Sequence, residues 1–493
     1  MKNIIIVGGG PGGLTAGMLL GIKNYKVKIF EKKDKIGGRN SRLELNGYNF
    51  DMGPTFFLMK HILEEIFFEV GKNLDDYVET IEINPMYRLK FPNFEFYPYS
   101  YSEMDKMLDS LDKTFPGSVD GYLKFIEKEK IKFRMLEPCL KKPYLSLGDY
   151  INKKFIKALP YVDVFKSLYE VMGKYFKDEN LKLSFTFQAK YIGMSPWVAP
   201  GVFSMISYLE HRYGIYHVKG GLNRLSHGMG EVFKELGGEI NLNSEVENII
   251  FQGKKAIGVK LKNGKEYYGD KIIINADFAY SMKNLVNKNI RDKYSDINLY
   301  NKKYSCSTYM IYLGLDKIYE NIPHHNIIFA EDYKRNLKLI NSHQEIEEDF
   351  SFYIQNPSVI DNTLAPEGHS SIYVLVPVSN NKSKETWSKK REKFYEKIID
   401  ILEEKGGFIN IRNHIKEKKV ITPSDWEYEE NIYLGATFNL AHNLGQMLSF
   451  RPHNRLEGYE NLYIVGGGTH PGSGLPTIYE SGRIVANLIE KGE

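Results

Sequence analysis

The chain has 493 residues, 42% of them hydrophobic and 26% charged, which is the composition of a soluble globular protein with room for more than one domain. Sixty-six basic and 62 acidic residues leave a net charge of +4, and this near-balance argues against a nucleic acid as partner. The only cysteines, Cys139 and Cys306, exclude a disulfide framework and a cysteine-rich metal site, and they favour a reduced, cytoplasmic setting.

Two uncharged stretches are long enough to suggest a membrane span. Residues 4–22 hold seven glycines and a proline, which suit a nucleotide-binding turn better. Residues 191–209 hold Pro196 and Pro200, which would break a spanning helix. We therefore predict no transmembrane segment, and we take 191–209 as a candidate tunnel wall or a lip that touches a membrane surface.

The first motif follows a predicted buried strand over residues 2–7 and contains the GxGxxG pattern. Gly8 permits the tight turn, Gly10 lets the backbone approach a pyrophosphate, and Gly13 allows the next helix to lie against the strand. That helix, predicted over residues 14–20, directs its N-terminal amides at the phosphates. The motif predicts a dinucleotide site.

The next predicted strand, residues 25–30, ends in Glu31. A carboxylate at this position accepts hydrogen bonds from an adenosine ribose and would repel a 2′-phosphate, so FAD or NAD is favoured over NADP.

Two further segments favour FAD over NAD. Gly37 and Gly38 let the chain approach a cofactor, and Arg39 can meet phosphate charge, although a surface turn with a solvated arginine is the alternative. Near the far end, a predicted strand over 462–465 leads into the glycine-rich residues 466–476 and then a helix. Backbone amides of that turn suit the ribityl chain and the anionic edge of a reduced flavin.

Segments along the whole chain resemble bacterial carotenoid desaturases of the phytoene-desaturase family, most closely the diapophytoene desaturases of C30 pathways. The matching segments are Phe50-Asp-Met-Gly-Pro-Thr55, Tyr191-Ile-Gly-Met-Ser-Pro196, His217-Val-Lys-Gly-Gly221, Asn275-Ala-Asp277, Tyr304-Ser-Cys-Ser307, Leu364-Ala-Pro-Glu-Gly368, Phe450-Arg-Pro452 and Gly468-Thr-His-Pro-Gly472. Residues 466–468 and 475–479 differ from the alanine- and valine-containing forms of the C30 enzymes, which leaves C30 and C40 substrates open.

The resemblance implies an α/β fold: a Rossmann-like FAD-binding domain of the amine oxidase and GDI-like superfamily with an inserted α+β substrate domain. The FAD-binding domain is expected in three pieces, residues 1–70, 215–280 and 420–493. The substrate domain, facing the membrane, is expected from residues 71–214 and 281–419. A hairpin is predicted around Asn263-Gly264.

The resemblance also implies the residues that hold FAD. Val246 is expected to contact the adenine through its backbone, with a plain edge strand as the alternative. The expected cofactor-binding residues are Gly8, Gly10, Gly13, Glu31, Lys32, Gly38, Arg39, Pro54, Thr55, Val246, Gly467, Gly468, Gly474, Leu475 and Pro476.

The implied function is FAD-dependent desaturation of an acyclic C30 or C40 carotenoid precursor such as diapophytoene or phytoene. Hydride leaves to flavin N5 and a proton leaves from the neighbouring carbon. The substrate is a long apolar isoprenoid, so we expect an aromatic-rich tunnel and a peripheral site on the cytoplasmic membrane. The acceptor that reoxidises the flavin is open between oxygen and quinone.

No catalytic residue and no metal site can be assigned from the sequence. The adjacent histidines His324 and His325 are not expected to ligate one ion, and His470 is expected to orient the flavin turn rather than transfer protons. A helical stripe from Tyr161 to Phe176 is expected to be core.

Other functions fit the same motifs. They include a carotenoid terminal-methyl oxygenase, a carotenoid isomerase and a retinol-saturase-like enzyme. An amine oxidase would need an aromatic cage for a polar amine, and the family-specific segments argue against it. A function of another class is a lipid-binding escort resembling Rab GDP-dissociation inhibitors, without flavin chemistry. Glu31 and the C-terminal turn oppose the escort.

Overall fold

The structure is a computed structural model, and it describes residues 2–492 except 151, 152, 164, 345, 347 and 385. The strands, in chain order, are β1 (Asn3–Val7), β2 (Lys26–Phe30), β3 (Arg42–Leu45), β4 (Tyr48–Asp51), β5 (Thr80–Glu82), β6 (Arg88–Lys90), β7 (Glu95–Phe96), β8 (Tyr216–Val218), β9 (Glu239–Asn241), β10 (Val246–Gln252), β11 (Lys255–Leu261), β12 (Glu266–Tyr268), β13 (Lys271–Ile274), β14 (Ser307–Leu315), β15 (His325–Ile328), β16 (Phe352–Gln355), β17 (Ser370–Val378), β18 (Ile415–Ile421) and β19 (Leu462–Ile464).

The α-helices lie between these strands, together with short 3₁₀ turns. They are α1 (Pro11–Gly21), α2 (Lys60–Glu69), α3 (Met104–Thr114), α4 (Val119–Leu140), α5 (Lys153–Ala158), α6 (Leu168–Met172), α7 (Glu179–Ser184), α8 (Ser204–Tyr213), α9 (Asn223–Glu235), α10 (Phe278–Asn284), α11 (Asp296–Asn301), α12 (Tyr333–Asn341), α13 (Trp387–Ile401), α14 (Ile411–His414), α15 (Pro423–Tyr428) and α16 (Leu475–Lys491).

A five-stranded parallel sheet, in the order β19-β13-β1-β2-β9, forms the first layer. The central strand β1 is buried from Ile4 to Val7, as the uncharged run predicts. Helices α1 and α9 pack against this layer, and α1 packs against both α9 and α16. Because β1 and β2 come from the start of the chain, β9 and β13 from the middle and β19 from the end, three distant segments build one sheet.

A seven-stranded mixed sheet, in the order β18-β14-β17-β16-β15-β6-β7, forms the second large layer. Its pairs are antiparallel except β15 with β6. One face carries Tyr309 and Ile311 and is covered by α13 through Trp387. Residues of the opposite face alternate with these and line a cavity.

The hairpin predicted at Asn263-Gly264 joins β11 to β12, with φ of +86° at Gly264. The stripe predicted as one helix from Tyr161 to Phe176 is wrong as a continuous element. The chain there forms a short 3₁₀ turn, Leu159–Tyr161, and then the separate helix α6. Leu168 and Met172 are core, but Phe165 is 99% exposed because it falls in the break between the two pieces.

Candidate functional site

The carboxyl ends of the parallel strands open onto one cavity of about 450 Å³. Gly8 follows β1, Glu31 follows β2, Asn275 follows β13 and Gly466 lies just beyond β19, and all four line it. This edge of an open parallel sheet is where α/β folds bind ligands. The opposite wall is the face of the seven-stranded sheet that α13 does not cover, so the cavity lies between the two large layers.

The first turn is held by Asn275. Its Nδ2 donates to the carbonyl oxygens of Gly8 at 2.8 Å and Gly10 at 3.0 Å. Gly8 has φ of +100°, and a Cβ there would meet the Asn275 carbonyl oxygen at 2.3 Å. At Gly13 a Cβ would meet Asn275 Nδ2 at 2.6 Å, so this glycine serves the packing of α1 and does not line the cavity. Asn275 appeared in the sequence only as part of a motif.

Glu31 is 6% exposed and lies at the cavity wall. Its Oε2 accepts the Gly9 N–H at 2.7 Å, and its Oε1 accepts the Lys33 N–H at 3.0 Å. The carboxylate therefore spans the turn after β1, and lone pairs remain for a ligand hydroxyl. Lys32 also lines the cavity and donates from Nζ to the Glu429 carbonyl at 2.9 Å; burial lowers the pKa of Lys32.

The second glycine turn pairs with the first, since Gly37 N donates to the Gly9 carbonyl at 2.8 Å. Gly38 lines the cavity, where a Cβ would contact the Gly10 Cα at 3.6 Å. Arg39 also lines it and, unlike the solvated alternative, is enclosed by protein: burial lowers the pKa of its guanidinium, and Asp277 opposes that shift.

The direct hydrogen-bond partners of Arg39 come from the C-terminal part of the chain. Its Nη1 donates to the Thr437 carbonyl. The Asn439 amide, oriented to satisfy both neighbours, donates to Asp277 Oδ2 at 2.6 Å and accepts from Arg39 Nη2 at 2.9 Å. Arg39 therefore braces the cavity wall through neighbours remote in sequence, and a phosphate contact would be additional to them.

Pro54, Thr55 and Val246 also reach the cavity. Tyr373 OH donates to the Gly53 carbonyl at 2.8 Å, which fixes the segment before Pro54 against the second sheet. Val246 is the first residue of β10 and is 7% exposed. The contact of Val246 with an adenine stays a prediction.

The C-terminal turn lies opposite the first one. Gly467, Gly474, Leu475 and Pro476 line the cavity, whereas Gly468 packs against Phe278, whose Cβ would be 2.6 Å from an added Cβ. Gly13 and Gly468 thus lie behind the cavity surface, and their contact with the cofactor stays a prediction.

Arg451 organises this turn from behind. It is 1% exposed and donates to the carbonyl oxygens of Gly467 at 2.6 Å and Thr469 at 3.0 Å. Burial lowers the pKa of Arg451 to about 9. Burial, with the charge of Arg451, lowers the pKa of His470 to about 3, so His470 is neutral at pH 7. The arginine orients the turn through backbone contacts that sequence reasoning missed.

The remainder of the cavity is largely apolar and aromatic. The side chains from the second sheet and the adjoining segments are Phe56, Leu58, Phe187, Tyr191, Thr308, Met310, Ile327, Phe352, Tyr353, Tyr373, Leu375, Pro377, Trp426, Ile432 and Phe438. Lys190 is the exception: its Nζ lies 4.8 Å from the centre of the Tyr333 ring, and burial lowers the pKa of Lys190 to about 7. Nothing in the sequence marked Lys190.

The residues present fit FAD. Helices α1 and α16 both begin at the cavity, with glycine N-caps Gly10 and Gly474 and no capping side chain, so their first amides are free for anionic groups. Glycines at the surface leave room for a close ligand backbone, and the apolar wall adjoins them. Within the described ranges, no three His, Cys, Asp or Glu side chains are grouped to hold a metal ion.

Known proteins share this architecture. A 4,4′-diapophytoene desaturase (4,4′-diapolycopene-forming) from Methylomonas sp is 50% identical over 99% of this chain and 95% of its own length. A 4,4′-diapolycopen-4-al dehydrogenase from Metabacillus indicus is 34% identical over 99% of this chain and 96% of its own length. The structure of a Rab GDI from Plasmodium falciparum has the same fold, with a TM-score of 0.54 at 13% identity, over 99% of this chain and 98% of that one.

The family of flavin containing amine oxidoreductases matches residues 11–489, almost the entire chain. The predicted fold class and the predicted flavin are thereby confirmed. This chain belongs to the flavin containing amine oxidoreductase family, and it is an FAD-dependent oxidoreductase.

Proposed function

We propose that the protein is an FAD-dependent desaturase of an acyclic carotenoid precursor, with the C30 hydrocarbon diapophytoene as first substrate and C40 phytoene as second. The observation that carries the proposal is the cavity, in which glycine turns for a dinucleotide continue into an aromatic, apolar wall. The diapophytoene desaturase at 50% identity favours the C30 chain length.

The cofactor contacts are part of the proposal. We expect the amides of the first turn to hold the diphosphate, Glu31 the ribose, and the turn from Gly467 to Pro476 the flavin end. FAD, when bound, supplies a two-electron oxidant that accepts hydride. The chain's own residues hold the polyene in an apolar wall, exclude water and receive the proton that leaves the neighbouring carbon.

The test is conversion by purified, FAD-loaded protein in vesicles that contain diapophytoene or phytoene. We expect products with longer conjugation and two hydrogens fewer per step. Products that gain oxygen would favour the terminal-methyl oxygenase, and products of unchanged mass the isomerase. A colourless protein that binds no FAD would contradict the proposal and favour the escort. Adding oxygen or a quinone in turn identifies the acceptor.

We also propose that the protein docks on the cytoplasmic membrane surface through one apolar and basic patch. The exposed apolar side chains of this patch are Ile156 at 54%, Leu159 at 53%, Phe165 at 99% and Val198 at 64% exposure. Exposed lysines flank them: Lys153, Lys157 and Lys166. Apolar groups that enter the headgroup region, with lysines beside them, suit an anionic bilayer.

Backbone hydrogen bonds join the part of the patch around Phe165 to the part around Val198. Gly201 N donates to the Lys166 carbonyl at 2.8 Å, and Leu168 N to the Ala199 carbonyl at 2.9 Å. The part around Val198 comes shortly after a 3₁₀ segment in the chain. That segment carries the cavity residues Phe187, Lys190 and Tyr191. In the described residues no helix is both long and apolar enough to cross a bilayer.

Docking is tested by cosedimentation with vesicles that contain anionic lipid. Phe165→Ser with Val198→Ser should reduce the bound fraction at least about tenfold, because the inserted apolar area is lost. Ile409→Ser, at a residue that is 67% exposed outside the patch, is the control and should bind as wild type does. Equal binding of all three proteins would contradict this surface.

A further inference from the structure

A line of buried polar side chains leads away from the cavity. Thr55 and Tyr353 line the cavity and are 3% and 9% exposed. Thr55 Oγ1 lies 2.9 Å from Tyr353 OH, and Tyr353 OH lies 2.7 Å from Nδ1 of His325, which is fully buried. Phe56 stacks on the His325 ring with centroids 4.2 Å apart and holds it in place. These three polar groups form the inner half of the line.

The outer half starts at the neighbouring histidine. His324 Nε2 lies 3.2 Å from His217 Nδ1, and His217 Nε2 lies 2.8 Å from Asp361 Oδ2. Asp361 also accepts the Gly220 N–H at 2.7 Å and the Thr363 N–H at 3.0 Å. The residues directly after Asp361, at 362 and 363, are exposed, so this carboxylate lies just beneath the protein surface.

The hydrogen bonds fix which atom donates and which accepts along this line of side chains. His217 and Thr363 hold the pKa of Asp361 far below its usual range, so the carboxylate accepts from His217 Nε2–H. His217 Nδ1 then accepts from His324 Nε2–H, which leaves His324 Nδ1 as a lone pair. At the other end Tyr353 donates to His325 Nδ1, which leaves His325 Nε2–H as a donor.

The two halves meet at the adjacent histidines. Their rings are 4.2 Å apart between centroids, at 77°. The atoms left over, His324 Nδ1 and His325 Nε2, are buried and have no partner among the described residues. One is an acceptor and the other a donor, so a proton path through both rings requires a rotation of one ring or one shared water between them. A buried donor and a buried acceptor destabilise the fold unless each forms a hydrogen bond.

We propose that these six side chains form a proton exit path from the cavity to the surface, which we call the relay. Its members, from cavity to surface, are Thr55, Tyr353, His325, His324, His217 and Asp361. The proposal rests on the proposed desaturation. One carbon of the substrate loses a hydrogen with two electrons to the flavin, and its neighbour loses a proton as the new C=C bond forms.

Together the steps of the relay move one proton outward, and after the last step no net charge remains inside. The Thr55 oxygen accepts the substrate proton while its own O–H proton passes to the Tyr353 oxygen, and the Tyr353 O–H proton passes to His325 Nδ1. His325 Nε2–H then passes to His324, His324 Nε2–H to His217, and His217 Nε2–H to Asp361, which returns it to solvent. Burial lowers the pKa of His324 and of His325 well below the usual range, so both transmit the proton and do not store it.

The connection is tested without turnover, by ¹⁵N NMR of the FAD-loaded protein with labelled histidines. Tyr353→Phe removes only the hydroxyl at the inner end. We expect it to shift the imidazole ¹⁵N signals of His325, His324 and His217. Tyr309→Phe is the matched control, because this buried tyrosine of the same sheet donates on the opposite face, to the Arg391 carbonyl. A shift confined to the signals of His325 would show that His325 and His324 are not connected, and this result would overturn the relay.

The transfer is tested in an anaerobic single turnover in vesicles that contain diapophytoene, with flavin bleaching and a pH indicator followed together. In Tyr353→Phe and His325→Asn, proton release should slow at least about tenfold against Tyr309→Phe, at unchanged FAD content and Tm. If either inner variant loses FAD, Asp361→Asn makes the same test from the outer end. Proton release at the wild-type rate in these variants would overturn the relay.

Failure of the proposed function gives a different result. In that case the wild-type flavin stays oxidised with both diapophytoene and phytoene, whereas the histidine shifts still show whether the six side chains are connected.

Discussion

At the scale of single residues, Glu31 combines two tasks. Its carboxylate closes the first turn by accepting from Gly9 and Lys33, and it faces the cavity where the ribose is expected. A carboxylate that already accepts two amides is held rigid, which favours a defined ligand contact.

Glu31→Ala should therefore weaken FAD binding about 10- to 100-fold, the effect of losing one or two charge-assisted hydrogen bonds. FAD affinity measured by fluorescence quenching checks this. Glu44→Ala, at an exposed residue paired with Arg42, is the control. Flavin affinity equal to wild type in Glu31→Ala would mean that the ribose lies elsewhere.

Glu210 shows how burial sets a protonation state beside the cavity. It is fully buried, and its Oε2 accepts from Gln188 Nε2 at 2.9 Å and Tyr87 OH at 3.2 Å. Its Oε1 has no partner among the described residues. Burial raises the pKa of Glu210 from 4.5 to about 7 in the folded state.

A raised carboxyl pKa means that the folded state retains a proton that the unfolded state loses, so this group's contribution to stability falls as pH rises from about 4.5 to 7. Glu210→Gln removes the effect. Its apparent free energy of unfolding should rise relative to wild type by about 3 kcal/mol over that interval. Thermal unfolding at several pH values checks this, with exposed Glu404→Gln as control. A pH-independent difference would contradict it.

At the scale of elements, the site depends on two helices whose N-termini share the cavity. Helix α16 crosses α1 closely because Gly482 has no side chain. A Cβ there would meet the Gly12 carbonyl oxygen at 2.6 Å and the Thr15 Cβ at 2.7 Å. The position of the C-terminal turn relative to the first turn is therefore set by a contact between the two ends of the chain.

Gly482→Ala should separate these helices and destabilise the protein by about 1–3 kcal/mol, the range for overpacking a tight contact. FAD content should fall in parallel, since both N-termini move. Differential scanning calorimetry and flavin absorbance check the two effects. Asn487→Ala, on the exposed face of the same helix, should leave both unchanged. A full complement of FAD at an unchanged Tm would contradict this prediction, because it would show that the two helices accommodate the extra methyl group.

At the scale of the whole molecule, the proposed cofactor site and the proposed apolar substrate site share one cavity. The five-stranded sheet presents its carboxyl edge on one side, and the seven-stranded sheet presents Thr308, Met310 and Tyr373 on the other. Neither half is a complete site, because each is open toward the other.

Met310→Trp should fill the apolar side of the cavity, because a packed wall cannot accommodate the larger side chain. We expect FAD content to stay unchanged and carotenoid conversion to fall at least about tenfold. Product chromatography and flavin absorbance check this. Met310→Leu, of similar size, is the control and should convert at a rate near wild type. Wild-type conversion by Met310→Trp would place the polyene elsewhere.

Local signals in the sequence determined the nucleotide-binding elements and the cofactor. Strand β1, helix α1, strand β2 and the hairpin at Asn263-Gly264 are encoded by short-range rules of burial, turn geometry and helix start, so they could be predicted within a few residues. The family matches confirm the flavin and the fold class.

Tertiary structure alone decided the contacts that join distant segments. Asn275 and Arg451 hold turns through backbone oxygens, Lys190 is half-buried beside an aromatic ring, and Phe165 is exposed where a helical stripe predicted core. The sequence assigned no role to His324 and His325, which are neighbours in the chain. His325 reaches Tyr353 because β15 pairs with β16, and His324 reaches Asp361 through His217 of β8. Such contacts depend on long-range packing, which periodicity and spacing do not encode.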